Sequence, residues 1–418
     1  MITGKLHQNF CTCKDKLVQW YCEKKKILNY PIYSSYDIRD AGFKISNVDA
    51  NIYPAGFNNI CHVDRESASG LMDQYIHDHY GSEIKKIQLL TEEHTNNPYY
   101  WDNVGAIKEI LETGGRQVLI SIPQKLDQPL QIQSASGKTF TVYSGYQNSS
   151  AIHEFKPDLC ISNNDFSNSH EEWASQFTIP VNPPRELGWY QRKKSTYFKH
   201  YNQLVEEFSQ LVGIDPFILN VRTELFSDFE LSDEEAQDKL AQAVDQMIAN
   251  LQTEYSKRGI DQKPFVFVKN NAGTYGLAVV RVGSGAEIKE WNYKSRKKMK
   301  AAKGGREVSE VIIQEGIPSR VQSDGASAEP VIYMIGCDLA GGFLRTHTEK
   351  SSTDSLNSPG AVYKRLCVSD LNVSIEKAPL ENVYGWSARL GLLAIGLEAQ
   401  EMNVRYRDFR RTDCLVKG

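Results

Sequence analysis

Apolar positions in this chain repeat with two periods, about 3.6 and 2 residues, and the order of the two kinds of stretch predicts an α/β fold. The first 30 residues, MITGKLHQNFCTCKDKLVQWYCEKKK and the four that follow, carry a basic amphipathic helical pattern. PIYSSYDIRDAGFKISNVDANIYPAGFNNI is punctuated by Gly and Pro, which predicts strands joined by tight turns. Residues 66–80 predict a helix, and IKKIQLLTEE a strand emptying into a polar loop. NVGAIKEILETGG predicts a glycine-closed helix, and RQVLISIP the next strand. This β–loop–α–β order is the pattern of a parallel sheet. A β-hairpin insertion is expected over 125–156, around Ser136-Gly137, before KPDLCISNNDFS resumes the parallel pattern.

The pattern changes near residue 184. WYQRKKSTYFKHYNQLVEEFSQLVG predicts a long helix. LSDEEAQDKLAQAVDQMIANLQTEYSKRG predicts another, with Ser232 as N-cap and Glu235 three residues on. PFVFVKNNAGTYGLAVVRV reads as strand, turn, strand; VSEVIIQEGIPS and AEPVIYMIGCDLAGGFLRTH add strands, the latter with a hairpin turn near 338–342. NVYGWSARLGLLAIGLEAQEM closes the chain as a helix. The expected organisation is an N-terminal helix (1–30), a parallel-sheet α/β domain (31–183) and an antiparallel region (184–418).

Composition narrows the function classes. A net charge of −4 gives no bulk attraction to nucleic acid or anionic lipid. No apolar run approaches the roughly 20 residues of a membrane span, and the N-terminus lacks an apolar signal core, so a cytoplasmic location is expected. Cys11, Cys13 and Cys22 match zinc spacing poorly and the other five cysteines are scattered, so reduced thiols are expected. The partners expected are small molecules; the sequence leaves the oligomeric state open.

The strongest local chemistry lies in residues 266–281. Lys269 ends an apolar strand and supplies a point charge for a phosphate. The turn that follows contains Gly273, Thr274, Tyr275 and Gly276, whose backbone N–H groups can approach phosphate oxygens. It is not a P-loop, because G-x-x-x-x-G-K-[ST] is absent and a strand follows. Asn163, Asn164 and Asp165 fall at the carboxyl end of a predicted parallel strand, where ligands collect. Asp37 and Arg39 alternate on an earlier strand and could hold an amino acid's ammonium and carboxylate, or pair with each other at the surface. Of the histidines, only His94 and His347 sit near these segments, without metal-ligand spacing.

The order of segments resembles an ATP-grasp domain, with its lysine-bearing strand, mobile glycine loop and hinge strand. On that resemblance Gln314 and Glu315 in VIIQEGIPS form the adenine hinge, and Glu329 takes a ribose hydroxyl. VKNNAGTYGLAVVRV, VSEVIIQEGIPS, AEPVIYMIGCDLAGGFLRTH and NSPGAVYKRL, with YDIRDAGFKISNVDANIYPAGFNN, TEEHTNN and ISNNDFS upstream, are similar to the proteobacterial ATP-grasp-like glutamate–cysteine ligases from about residue 30 onward. A more distant similarity is to eukaryotic-type glutathione synthetase. It implies Mg²⁺ on Asp49 and Asn51, whose side chains point the same way on a strand. Asn271 stands where that family has a third, glutamate ligand.

The resemblance further implies Lys199 as a second phosphate lysine, with Lys193 and Lys194 as competitors, and Arg345 as the fork for a substrate carboxylate. Asn58 and Asn357 join the substrate-binding set with Asp37, Arg39, Asn163 and Asn164. The implied activity is ATP- and Mg²⁺-dependent formation of γ-glutamylcysteine through γ-glutamyl phosphate. The alternatives are glutathione synthetase, or another ATP-grasp amino-acid ligase, with the same motifs. A non-catalytic nucleotide-binding protein is the alternative that Asn271 keeps open.

Overall fold

The computed structural model describes residues 2–93, 96–273, 278–291, 308–366, 374–375 and 378–412. His94 and the loop residues Thr274, Tyr275 and Gly276 lie outside them. The N-terminal helical pattern resolves into two helices, Ile2–Thr12 and Lys14–Ile27. Cys22 and Cys61 each take part in a disulfide. Cys11, Cys13, Cys160 and Cys337 are free thiols, so the reduced state expected of every cysteine holds for these four.

Among the described residues three larger sheets organise the rest, beside a two-stranded one, Ser374–Ile375 with Ala378–Pro379. The parallel one expected from the sequence contains Lys86–Leu90, Gln117–Ile122 and Leu159–Ser162, joined in parallel register, with Val181–Asn182 at one edge. The hairpin Leu130–Gln133/Thr139–Ser144 is part of this sheet rather than an appendage, because Ser121 pairs with Tyr143 in parallel register.

The central sheet is antiparallel and joins the two ends of the chain. Its strands run in the order Val362–Leu366, Asp338–His347, Ala326–Ile335, Tyr33–Asp40, Ile45–Asn51. Asp37 is opposite Val331 on one side and Asp49 on the other. The segment expected within a 31–183 domain therefore completes a sheet built mostly from residues beyond 320. The hairpin turn falls at Gly336-Cys337 rather than 338–342; Gly336 has φ +53°, the left-handed conformation that glycine adopts at no steric cost. The Leu380–Glu401 helix packs on this sheet and against the Lys194–Val212 helix.

A third sheet, Val279–Val282, Val266–Asn270, Val311–Glu315 and Thr223–Phe226, is antiparallel and has its own core. Leu240, Val244 and Met247 of the Glu234–Lys257 helix pack there on Val266, Val268 and Ile313. That helix is capped by Asp233, whose carboxylate accepts from Glu235 N at 2.9 Å. Ser232 is not the cap, because its hydroxyl donates to Glu230.

Candidate active site

The central sheet and this third sheet face one another across a cleft with two connected lobes. The first spans about 630 Å³, open solvent included, and is lined by Val48, Phe267, Val279, Ile317, Lys194, Lys269 and Gln314 among others. The second spans about 740 Å³, open solvent included, beside Trp189, Tyr333, Phe343, Tyr363 and Arg345. Asp37, Asp49, Gly273 and Asn357 border both.

Lys269 comes from the middle of a strand buried on both faces, and its ammonium has only neutral partners. It donates to Gln314 Oε1 at 2.6 Å and Val48 O at 3.1 Å. Burial lowers its pKa to about 8, assisted by the Lys194 and Arg39 charges and opposed by Asp49 and Asp37. Lys194 lies at the start of its helix, 7% exposed, and pairs with Asp49 at 2.5 Å. The Trp189 indole lies 4.7 Å from this ammonium, a cation–π arrangement. Burial tends to raise the Asp49 carboxyl, but Lys194 and Lys269 hold it below the ordinary range.

Lys199 is not at the cleft. It is 58% exposed and pairs with Glu401 on the outer surface. The helix periodicity explains this: Lys194 is in phase with the buried Tyr197, Tyr201, Leu204 and Phe208, whereas Lys199 faces away. That phase is readable in the sequence and selects Lys194. Trp189 is a further cleft residue with no motif to announce it.

Asp37, Arg39, Glu329 and Arg345 form one buried charge network. Glu329 Oε2 pairs with Arg39 Nε at 2.5 Å, and its Oε1 with Arg345 Nη1 at 2.6 Å. Arg345 Nη1 also reaches Asp37 Oδ2 at 2.6 Å. Burial would raise the Glu329 carboxyl, yet Arg39 and Arg345 together hold it below the usual range. Asp37 moves up, through burial and the Glu329 charge, against the pull of Arg345. Arg39 also lines the first lobe, and besides Glu329 it donates to Ser352 O at 3.2 Å and Asp354 O at 2.8 Å. It thereby ties the loop that carries Asn357 to the sheet. Glu329, expected at a ribose, is committed to two arginines.

Gln314 and Glu315 point to opposite faces of their strand. Both border the first lobe; Gln314 Oε1 accepts there from Lys269, while the Glu315 carboxylate accepts from Lys44 Nζ at 2.6 Å and Tyr255 OH at 3.2 Å. Asn51 Oδ1 accepts from Tyr53 N at 3.1 Å and borders the second lobe. Asn271 turns away from both lobes. Its backbone O accepts from Lys194 N at 2.8 Å and its Oδ1 from Ser195 N at 2.9 Å, so it satisfies amides at a helix start.

The remaining expected residues stand outside the cleft. Asn163 Oδ1 accepts from Tyr100 OH and Asn103 Nδ2, and its Nδ2 donates to Pro54 O at 2.9 Å. Asn164 bonds Thr91 O and Phe166 N. Asn58 bonds Asn59 at 3.3 Å. His347 Nε2 contacts Pro359 O at 3.0 Å, anchoring the turn after Asn357.

Among the described residues no group of three or more His, Cys, Asp or Glu could hold a metal. No described helix is long and apolar enough to cross a membrane.

A cleft between two antiparallel sheets, with two lysines beside an acid in one lobe and an arginine among aromatic rings in the other, suits a polyanion and an amino acid together, as a ligase requires. The family model for glutamate–cysteine ligase matches residues 7–399, and the chain belongs to that family. The structure of a candidate γ-glutamylcysteine synthetase from Methylobacillus flagellatus is 30% identical, with a TM-score of 0.85, covering 96% of this chain and 97% of that one. The protein is a ligase that joins glutamate to cysteine. D-alanyl-alanine synthetase A from Vibrio cholerae is 12% identical, with a TM-score of 0.33 over 77% of this chain and 82% of that one. A comparison with the curated proteins returns no match.

Proposed function

We propose that the first lobe binds ATP and that Lys194 and Lys269 together receive the phosphates. The observation that carries this is the convergence of two lysine ammonium groups, from a helix start and a strand, on one side of Asp49. Val48, Phe267, Val279 and Ile317 supply apolar walls for a base. Polyanion binding would release Lys194 from Asp49 and return full charge to Lys269.

A carboxylate is a poor electrophile, so the γ-carboxylate of glutamate first takes the terminal phosphoryl group. The new oxygen–phosphorus bond forms as the β–γ bond breaks and ADP leaves. The amine of cysteine then attacks the acyl carbon and phosphate departs. Lys194 and Lys269 neutralise charge on the transferred group, which is the main demand of phosphoryl transfer. Asp49 and Asn51 offer oxygen donors suited to Mg²⁺, which supplies further charge neutralisation when bound; phosphates and water would complete its shell. Asn271, bonded to the helix start, is no part of that set.

The test is ADP release with Mg·ATP and glutamate, with and without cysteine, and separately with γ-glutamylcysteine plus glycine. Cysteine-dependent ADP with an equal yield of γ-glutamylcysteine is expected. Turnover only with the dipeptide and glycine overturns the assignment.

A further inference from the structure

The two lobes differ in what they offer a ligand. In the first, Lys269 faces only neutral oxygens, so its charge is available to a second anion. In the second, the charged lining residues are Asp37, Asp49 and Arg345. Asp37 already pairs with Arg345 and Asp49 with Lys194, so no whole positive charge is left over there. Two fully buried donors of this lining have no partner: Arg345 Nε and Trp189 Nε1. Both side chains are more than nine-tenths buried, at 9% and 5% exposure.

The sheet face that carries Arg345 is otherwise aromatic. Tyr333 and Phe343 have ring centroids 5.6 Å apart, and Phe343 and Tyr363 5.1 Å. Tyr333 is held by its hydroxyl, which donates to Ala55 O at 2.9 Å. A side-chain carboxylate against these rings would be desolvated with no unpaired cation to meet it, which disfavours it. A thiol is soft and polarisable and gains from aromatic contact.

We infer that the second lobe is the acceptor subsite, taking a zwitterionic amino acid with a small thiol side chain. The carboxylate accepts from Arg345 Nε, the ammonium lies toward Asp37, and the sulfur rests on Tyr333, Phe343 and Tyr363. The donor glutamate, with its extra carboxylate, then occupies the border of the lobes beside Lys269. This assignment rests on the ligase reading and adds to it which part of the cleft discriminates the acceptor.

Tyr363 is 47% exposed on an edge strand, so Tyr363→Ala leaves the core intact. Steady-state kinetics of wild type, Tyr363→Ala and Phe343→Leu, each with ATP, glutamate and cysteine varied in turn, test the subsite. KM for cysteine is expected to rise roughly fivefold in either variant, with KM for ATP and glutamate within twofold. The preference for cysteine over L-2-aminobutyrate, which carries methyl in place of thiol, is expected to fall by a similar factor. A rise in KM for glutamate instead, or no change in any KM, overturns the assignment. Failure of the wild type to use cysteine at all would overturn the ligase reading itself, a result the control arm reports separately. Should Phe343→Leu not fold, Tyr363→Ala carries the test alone.

Discussion

Lys194 and Asp49 are joined at 2.5 Å across the mouth of the cleft, from elements 145 residues apart in sequence. The pair makes the site self-neutralised before ligand arrives: the cation proposed for phosphate rests on the acid proposed for Mg²⁺. Replacing Lys194 with Met should cut kcat by at least a hundredfold, the usual scale for losing a charge that stabilises a transferring phosphoryl group. Lys199→Met, at the outer surface, should stay within twofold. Initial rates of ADP release check both, and equal losses in the two variants would count against Lys194.

The buried network gives a prediction about stability. Arg39 is 5% and Glu329 3% exposed at the side chain. Removing one partner of a buried pair leaves an uncompensated charge, which costs about 3–5 kcal/mol. Arg39→Met should therefore lower urea stability by that amount, and it also frees the loop held through Ser352 and Asp354. The Glu329 carboxyl is held below its unfolded value, so its contribution is present above the unfolded pKa and is lost as pH falls through the folded one. Acid unfolding curves for wild type and Glu329→Gln should accordingly draw together as pH falls below the ordinary glutamate pKa of about 4.3 and meet below the lowered folded one.

Much of this was legible from residue patterns. The helix and strand periods located most elements, and Lys269 and Gln314, each marked as a candidate from its own segment, meet on neighbouring strands. What failed depended on partners that sequence spacing does not report. Asp37 and Glu329 are 292 positions apart, yet their strands pair, and only that pairing turns separate candidates into one network. Asn163, Asn164 and Asn271 have the composition of ligand-binding residues but spend their amides on buried backbone and side-chain groups. Lys194 was recoverable from helical phase, because a lysine in register with four buried apolar residues must have a reason to be there.

Asn163 tests this distinction between composition and role. Its amide accepts two hydrogen bonds and donates one to Pro54 O, fixing the turn that leads to Phe57. Asn163→Ala strands buried polar groups at about 1–3 kcal/mol. Thermal denaturation should show a drop in Tm, while KM for ATP stays within twofold. A large KM change at unchanged Tm would instead return Asn163 to the substrate-binding set.

Lys269 sets function against stability. Its pKa is lowered from 10.5 to about 8, chiefly by burial. Between those values the unfolded chain binds more protons than the folded one, so this residue makes the protein more stable as pH rises from 8 toward 10.5. At neutral pH the folded state carries the cost of a buried ammonium, up to about 3 kcal/mol at 1.36 kcal/mol per unit. Lys269→Met removes that cost but leaves Gln314 Oε1 and Val48 O without their donor, which offsets part of the gain. The variant should therefore be about 1–2 kcal/mol more stable at pH 7, with an advantage that shrinks by pH 10. It should also lose ADP formation. In the wild type, ATP affinity should fall above pH 8 as the free enzyme's Lys269 loses its proton, an effect absent from the variant. Urea denaturation at pH 7 and pH 10, with nucleotide titrations across the same range, decides both halves. A Lys269→Met protein that is less stable at pH 7 would show that the ammonium's hydrogen bonds outweigh its desolvation.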